Sequence, residues 1–289
     1  MRIFTYVITE DGAGRSVGWF LKKRMLLSGS LFRSLKWNKG AIEVNGEAVY
    51  VSYLLHDGDR LSVTVAERHP TSEKIFPCSI PLDILYEDTD LLVVNKPASL
   101  PVYSASIPNL IGALLSRNEA EGMPHIVNRL DKDTSGLCIV AQNGYVHDRF
   151  RCLLHTRELY REYRAIVCGC PEPPSGTISL ALGPQEGKFW QRCVRSDGQQ
   201  AISDYQLLQK YSDYSLLRLV PHTGRTHQLR VHLSAIGHPL MGDTLYGAPQ
   251  DAPISRPALH SARLRFTHPV TGQALRFSAP LPEDMDSLL

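Results

Sequence analysis

Ile126-Val127-Asn128-Arg129-Leu130-Asp131-Lys132-Asp133-Thr134-Ser135-Gly136 runs directly into Leu137-Cys138-Ile139-Val140-Ala141, and the reading of this stretch decides the fold. An arginine, two aspartates and a lysine stand in a loop that ends in Thr-Ser-Gly and enters an apolar strand. Loops seated on a rigid sheet are where chemistry is built. Taken alone, the charges suit an ion-paired structural turn as well as a reactive site. Outward from here the strand-like blocks are Ile84–Tyr86, Leu91–Asn95, Leu137–Ala141, Tyr163–Val167, Ile178–Leu182, Ser203–Gln209 and Ser215–Val220. Helical spacing occurs at Leu110–Arg117, Val146–Leu154 and Thr226–Ala235. Strands that come in runs with irregularly placed helices predict an α+β fold, with a mixed, largely antiparallel sheet flanked by helices.

The N-terminal part reads as a smaller α+β module. Val17, Phe20, Leu21 and Met25 fall at helical spacing, Ser28-Gly29-Ser30 interrupts, and Leu31 and Leu35 seed a second helix. Asn45-Gly46 between two β-prone runs predicts a hairpin, because both turn residues need positive φ. Leu61, Val63 and Val65 alternate as a closing strand. Between residues 13 and 42 the charges are all basic: Arg15, Lys22, Lys23, Arg24, Arg33, Lys36 and Lys39. A one-signed stretch builds the positive field that a phosphate backbone seeks. This order of elements resembles the S4 RNA-binding domain, although Arg15-Ser16-Val17 departs from the usual opening of its first helix. The resemblance implies that Lys22, Lys23, Arg24, Arg33, Lys36 and Lys39 face RNA. Residues 67–81, polar and proline-bearing, read as a linker. The expected division is therefore 1–66, 67–81 and 82–289, with two cores that fold separately.

Composition narrows the class. The 289 residues are 43% hydrophobic with a formal net charge of +2, ordinary for a globular protein. No apolar run approaches the ~20 residues that cross a bilayer, and the start lacks the apolar core of a secretory signal. Six scattered cysteines form no Cys-x-x-Cys pair and read as reduced, so a cytoplasmic protein without a metal centre is expected. His227 and His232 would lie about 140° apart on a helix, which is not a ligand-bearing face.

Arg129-Leu130-Asp131-x-x-Thr134-Ser135-Gly136 before a strand resembles the signature of the RluA-type pseudouridine synthases. Further matches follow in order: Leu92-Val93-Val94-Asn95-Lys96-Pro97, Tyr163-Arg164-Ala165-Ile166-Val167, Gly224-Arg225-Thr226-His227-Gln228-Leu229-Arg230-Val231-His232, Gly242-Asp243, Leu259-His260 and Phe266-Thr267-His268-Pro269. The resemblance implies isomerisation of uridine to pseudouridine in structured RNA, without a cofactor. It implies Asp131 as the catalytic carboxylate, Tyr163 as the active-site tyrosine, Arg225 as the arginine paired with the aspartate, and Arg129 as the residue filling the gap left by an everted base. Asn128 stands where the family usually has histidine and is expected to touch loop or RNA. An appended S4-like domain favours large-subunit ribosomal RNA over transfer RNA, and a monomer is expected. A non-catalytic RNA-binding or ribosome-assembly factor on the same scaffold is the other reading. Asp131, Tyr163 and Arg225 kept together argue against it.

Overall fold

The computed structural model describes residues 2–65, 78–117, 124–154, 156 and 158–289. Most of the expected linker 67–81 lies outside the described residues, which include only 78–81 of it.

The chain opens with β1 (Arg2–Val7), α1 (Val17–Lys23), α2 (Gly29–Trp37), β2 (Ile42–Val44), β3 (Glu47–Ala48) and β4 (Arg60–Val65). Each helix starts on a serine, whose hydroxyl satisfies a backbone N–H that the first turn leaves open. Ser16 Oγ accepts from Trp19 N and Ser28 Oγ from Leu31 N, both at 3.1 Å. Asn45 and Gly46 take φ of 54° and 86°, as a two-residue hairpin requires. β4 lies between β1 and β2 in an antiparallel sheet, and its buried Leu61, Val63 and Val65 share a core with Val17, Leu21 and Met25.

The larger part contains β5 (Asp83–Glu87), β6 (Leu91–Lys96), α3 (Leu110–Arg117), β7 (His125–Ile126), β8 (Ser135–Ala141), α4 (Gly144–Leu153), β9 (Tyr160–Cys168), β10 (Ser175–Ser179), β11 (Leu182–Gln185) and β12 (Lys188–Val194). It continues through β13 (Ile202–Lys210), β14 (Tyr214–Pro221), α5 (Gln228–Ala235), β15 (Leu259–Thr267), β16 (Ala274–Ser278) and α6 (Glu283–Asp286). Among the described residues ten strands form one sheet, ordered β10-β13-β14-β9-β15-β8-β6-β5, with β16 on β15 and β7 on β8. The pairs are antiparallel except β15 with β8, which run parallel at His260–Ser135 and Ser261–Gly136. Gly136 has φ of 104°, and a Cβ there would overlap the Ser261 backbone. The glycine of the Thr-Ser-Gly run is thus what lets β15 close against β8, beside the loop that carries Asp131. β11 and β12 form a hairpin of their own outside this sheet.

The expectation of two separate cores is corrected by the packing. One continuous apolar cluster includes Phe4, Phe20 and Leu61 of the N-terminal module together with Val93, Tyr145, Phe150 and Phe266 of the larger part. The rings of Phe4 and Tyr145 are 4.4 Å apart. Arg2 clasps Asp90 with two hydrogen bonds of 3.0 and 2.8 Å, and Ser28 Oγ donates to Asp148. A polar linker says nothing about surfaces that meet elsewhere in the chain, which is why the sequence suggested independence.

Candidate active site

A cavity of about 450 Å³ opens where the 127–134 loop, β9 and the start of α5 converge, and its lining includes Arg129, Asp131, Tyr163, Arg225, His227 and Arg230. The loop is held from beneath by buried cations. Lys96, at the end of β6, has no exposed surface, and its Nζ donates to the carbonyls of Pro97, Leu100 and Lys132 at 2.8, 2.9 and 2.9 Å. Burial pushes this ammonium down to about 8. Arg256 donates from Nη1 to Asp133 O at 3.1 Å, while its Nε and Nη2 grip Asp284 at 2.6 and 2.7 Å. Thr134 N closes the turn on Asp131 O at 3.1 Å. Lys96, Arg256 and the Thr134 N–H thereby fix the carbonyls of residues 131–133, and the Asp131 carboxylate remains partly open to the cavity.

The guanidinium beside Asp131 is that of Arg230, on the first turn of α5, with Nη1 3.7 Å from Oδ2. Arg230 is itself clamped: its Nε and Nη2 donate to the buried Asp243 at 2.7 and 2.8 Å, and it lies over the Tyr246 ring at 5.0 Å. Burial opposes its charge, but the Asp243 hydrogen bonds outweigh that and hold it above its ordinary value. Gly242 makes this clamp possible, because at φ of 74° a Cβ would overlap the carbonyls of Ile254 and Arg256.

His227 has φ of 55°, a strained value for a side-chain-bearing residue, immediately before α5. Its Nδ1 is 2.8 Å from the Tyr246 hydroxyl, which accepts from Arg192 N at 2.9 Å. Its Nε2, at the other side of the ring, is 4.0 Å from Asp131 Oδ2. Burial pushes His227 below its ordinary value, against the pull of Asp131. Tyr163 lies in β9 with its ring on the cavity, and burial raises its phenol, so it stays protonated near neutral pH. Arg161, two residues earlier on the same strand, is buried at the cavity wall, with Nη2 on the carbonyls of Leu154 and Pro221 at 3.2 and 3.3 Å.

The structure brings Arg129, Asp131, Tyr163 and Arg225 to one cavity and alters three expectations. Arg225 does not make the expected pair with Asp131. It precedes α5, and its Nε turns to Gln200 O at 3.2 Å, so the pairing arginine is the second of the Gly224–His232 motif. Asn128 is buried and spends its amide on strand backbone, donating to Leu137 O at 3.0 Å and accepting from Ile139 N at 2.7 Å. It braces β8. Arg24 is exposed but forms an ion pair with Asp11, just outside the acid-free stretch. Lys22, Lys23, Arg33, Lys36 and Lys39 are exposed, with Lys22 lying over the Phe32 ring. Sequence reasoning missed Arg230, Asp243, His227 and Tyr246 as a connected group. A helix start at Gln228, which puts Arg230 on the first turn, was the signal for the first.

A family model described as RNA pseudouridylate synthase matches residues 90–235. An uncharacterized RNA pseudouridine synthase of Bacillus subtilis is 38% identical, over 91% of this chain and 94% of its own length. A ribosomal large subunit pseudouridine synthase D of Vibrio parahaemolyticus is 36% identical, over 85% of this chain and 81% of its own. Among solved structures, human RNA Pseudouridylate Synthase Domain Containing 1 superposes with a TM-score of 0.60 at 29% identity, covering 76% of this chain and 90% of that one.

Proposed function

The chain belongs to the RNA pseudouridylate synthase family and is an RNA pseudouridine synthase, and on that premise we propose that it rebuilds uridines of large-subunit ribosomal RNA with Asp131 as the reacting carboxylate. The observation that carries the site assignment is the Asp131 carboxylate, open to the cavity and 3.7 Å from a guanidinium that Asp243 holds in place. The 36% identical Vibrio relative, named for the large ribosomal subunit, supports the choice of target.

The reaction breaks the N1–C1′ bond, turns the uracil and joins C5 to C1′. The C5 proton is lost and N1 gains one, so atoms balance without a cofactor. Positive charge develops on the ribose as the first bond breaks, and a carboxylate at that position stabilises or traps it. Arg230 keeps Asp131 ionised and aimed. The flat Tyr163 ring supports the uracil, and its protonated hydroxyl serves as a donor. A uridine in a folded RNA reaches such a cavity only by leaving its stack, and exposed Arg129 at the rim fills the space it leaves. Residues 1–66 serve as an S4-like docking module, with Lys22, Lys23, Arg33, Lys36 and Lys39 as its phosphate contacts and Arg24 shared with Asp11. This reading places the enzyme in the cytoplasm, beside ribosomal RNA.

Release of tritium from [5-³H]uridine in transcripts of large-subunit ribosomal RNA and of transfer RNAs tests it. Release from the ribosomal transcript is expected, and release from transfer RNA alone would reassign the target. Asp131→Asn should slow single-turnover release at least about a thousandfold while RNA affinity changes only a few-fold. A smaller loss of rate would remove Asp131 from the reacting role.

A further inference from the structure

The β11–β12 hairpin has no part in the main sheet, yet it ends in two exposed aromatic residues. Phe189 is 77% exposed and Trp190 66%. Large apolar rings left in water are costly unless something covers them. The root of the hairpin forms one wall of a groove of about 430 Å³, with Gly183, Pro184, Arg192 and Arg195 on that side. Arg129, Gly224, Arg225 and Thr226 complete the groove and also line the candidate active site, so the two spaces are continuous. Four arginines border the groove, and its one carboxylate, Asp197, is already held by Arg195 at 2.8 and 2.7 Å. The remaining field is positive and suits a phosphate backbone.

The hairpin is anchored in a definite orientation. Gln191 Nε2 donates to Leu245 O at 3.2 Å, and Arg192 N donates to the Tyr246 hydroxyl at 2.9 Å. Pro184 pairs with Arg192 and Gln185 with Lys188, so Phe189, Trp190 and Gln191 bulge from the ladder opposite a single step of β11. Within this bulge Gln191 turns to the body of the protein and both rings stand in water; Trp190, the larger ring, is the nearer of the two in sequence to Arg192, which lines the groove.

We propose that Trp190 is a stacking platform for an unpaired base next to the target uridine, with the flanking phosphates lying in the groove between the hairpin root, Arg129 and Arg225. The partner is a single-stranded RNA segment. Base–aromatic stacking tolerates any sequence, so the platform grips a flank of the target without reading it. The proposal rests on RNA as substrate, and the choice of ribosomal RNA affects only the probe.

The test uses the full-length enzyme, with affinity for the large-subunit ribosomal transcript and single-turnover tritium release measured on the same samples. Transfer RNA transcripts run in parallel, so that the platform is judged on whichever RNA the wild type converts. Trp190→Leu should raise Kd about tenfold and leave the rate at saturating RNA within about twofold. Trp190→Phe should restore affinity to within about threefold of wild type, because a phenyl ring still stacks. Phe189→Leu, which removes the smaller ring, should raise Kd by less than about threefold. Both positions are exposed, so the variants should fold. An unchanged Kd in Trp190→Leu, a loss that phenylalanine does not restore, or a Phe189→Leu effect as large as that of Trp190→Leu would overturn the platform. Such a result, with wild-type release intact, would leave the enzyme's assigned chemistry standing.

Discussion

The Asp131 loop and the basic helical face of the N-terminal module are both rich in cations, but they use them in opposite ways. Beneath and beside the loop, behind exposed Arg129 and Lys132, three buried cations are each committed to the protein: Lys96 to three carbonyls, Arg256 to Asp133 O and Asp284, Arg230 to Asp243. On α1 and α2, Lys22, Lys23, Arg33 and Lys36 stand exposed, with Lys39 just beyond. An inward cation shapes backbone and aims a carboxylate, and losing it leaves buried partners unsatisfied. An outward cation contributes field, and its loss is a small, salt-dependent matter.

The sharpest break in this contrast would come from the two arginines of one motif. Arg230→Met should slow single-turnover conversion about a hundred- to a thousandfold, since it removes the fixed charge beside Asp131. Arg230→Lys, which keeps charge without the two-pronged grip on Asp243, should fall between that variant and wild type. Arg225→Met should leave the rate at saturating RNA within about tenfold and weaken affinity instead. Rates and affinities of these three variants suffice, and equal rate losses at Arg225 and Arg230 would erase the distinction between an aiming and a contacting arginine.

A second test sharpens the meaning of an inward cation. Lys96 has a folded-state pKa of about 8 against an ordinary value of 10.5. Between those values the unfolded chain holds the extra proton, so the lysine's burial cost is in full force below pH 8 and is relieved as pH rises. The stability of wild type minus that of Lys96→Met should therefore increase across this window, by about 3 kcal/mol at most. Urea melts at pH 7.5, 9 and 10.5 measure it, and a difference independent of pH would mean that burial does not move Lys96 from its ordinary value.

The smallest effect belongs to the outward set. Replacing Lys22, Lys23, Lys36 and Lys39 with glutamine should leave the rate at saturating RNA unchanged. The slope of log affinity against log salt should drop by roughly 0.7 to 0.9 for each phosphate that is no longer neutralised. Titrations at four salt concentrations decide it, and an unchanged slope would show that this face does not meet RNA.

Much of this arrangement was legible beforehand, and the parts that were not have physical reasons. Leu110–Arg117 was anticipated with the bounds it has, because an apolar stripe at helical spacing suffices to define a buried helix. β11 and β12 were not anticipated as a hairpin: most of their side chains face water, so no alternation of polar and apolar residues marks them. β1 was also missed, and its role depends on a partner 53 to 63 residues away, with Arg2 opposite Val65 at one end and Val7 opposite Arg60 at the other. Asp131 and Tyr163 could be named from their motifs. The choice between Arg225 and Arg230 turned on where a helix begins. The expected start at Thr226 differs from the observed Gln228 by only two residues, with His227 in a left-handed conformation between them. That small shift of boundary decides which guanidinium faces the carboxylate. Asn128 shows the same limit, since an amide suits strand backbone as readily as RNA and only its burial separates the two.

The continuous core between the N-terminal sheet and Tyr145, Val93 and Phe266 also bears on which uridines are chosen. A docking module on a loose tether would raise the local concentration of every uridine within its reach, spreading its benefit over many sites. A module fused through packed rings and the Arg2–Asp90 clasp works as a caliper with fixed jaws. If it docks RNA as proposed, it favours a uridine that lies one set span from the docked helix of a folded RNA and rejects its neighbours by distance, whatever their sequence.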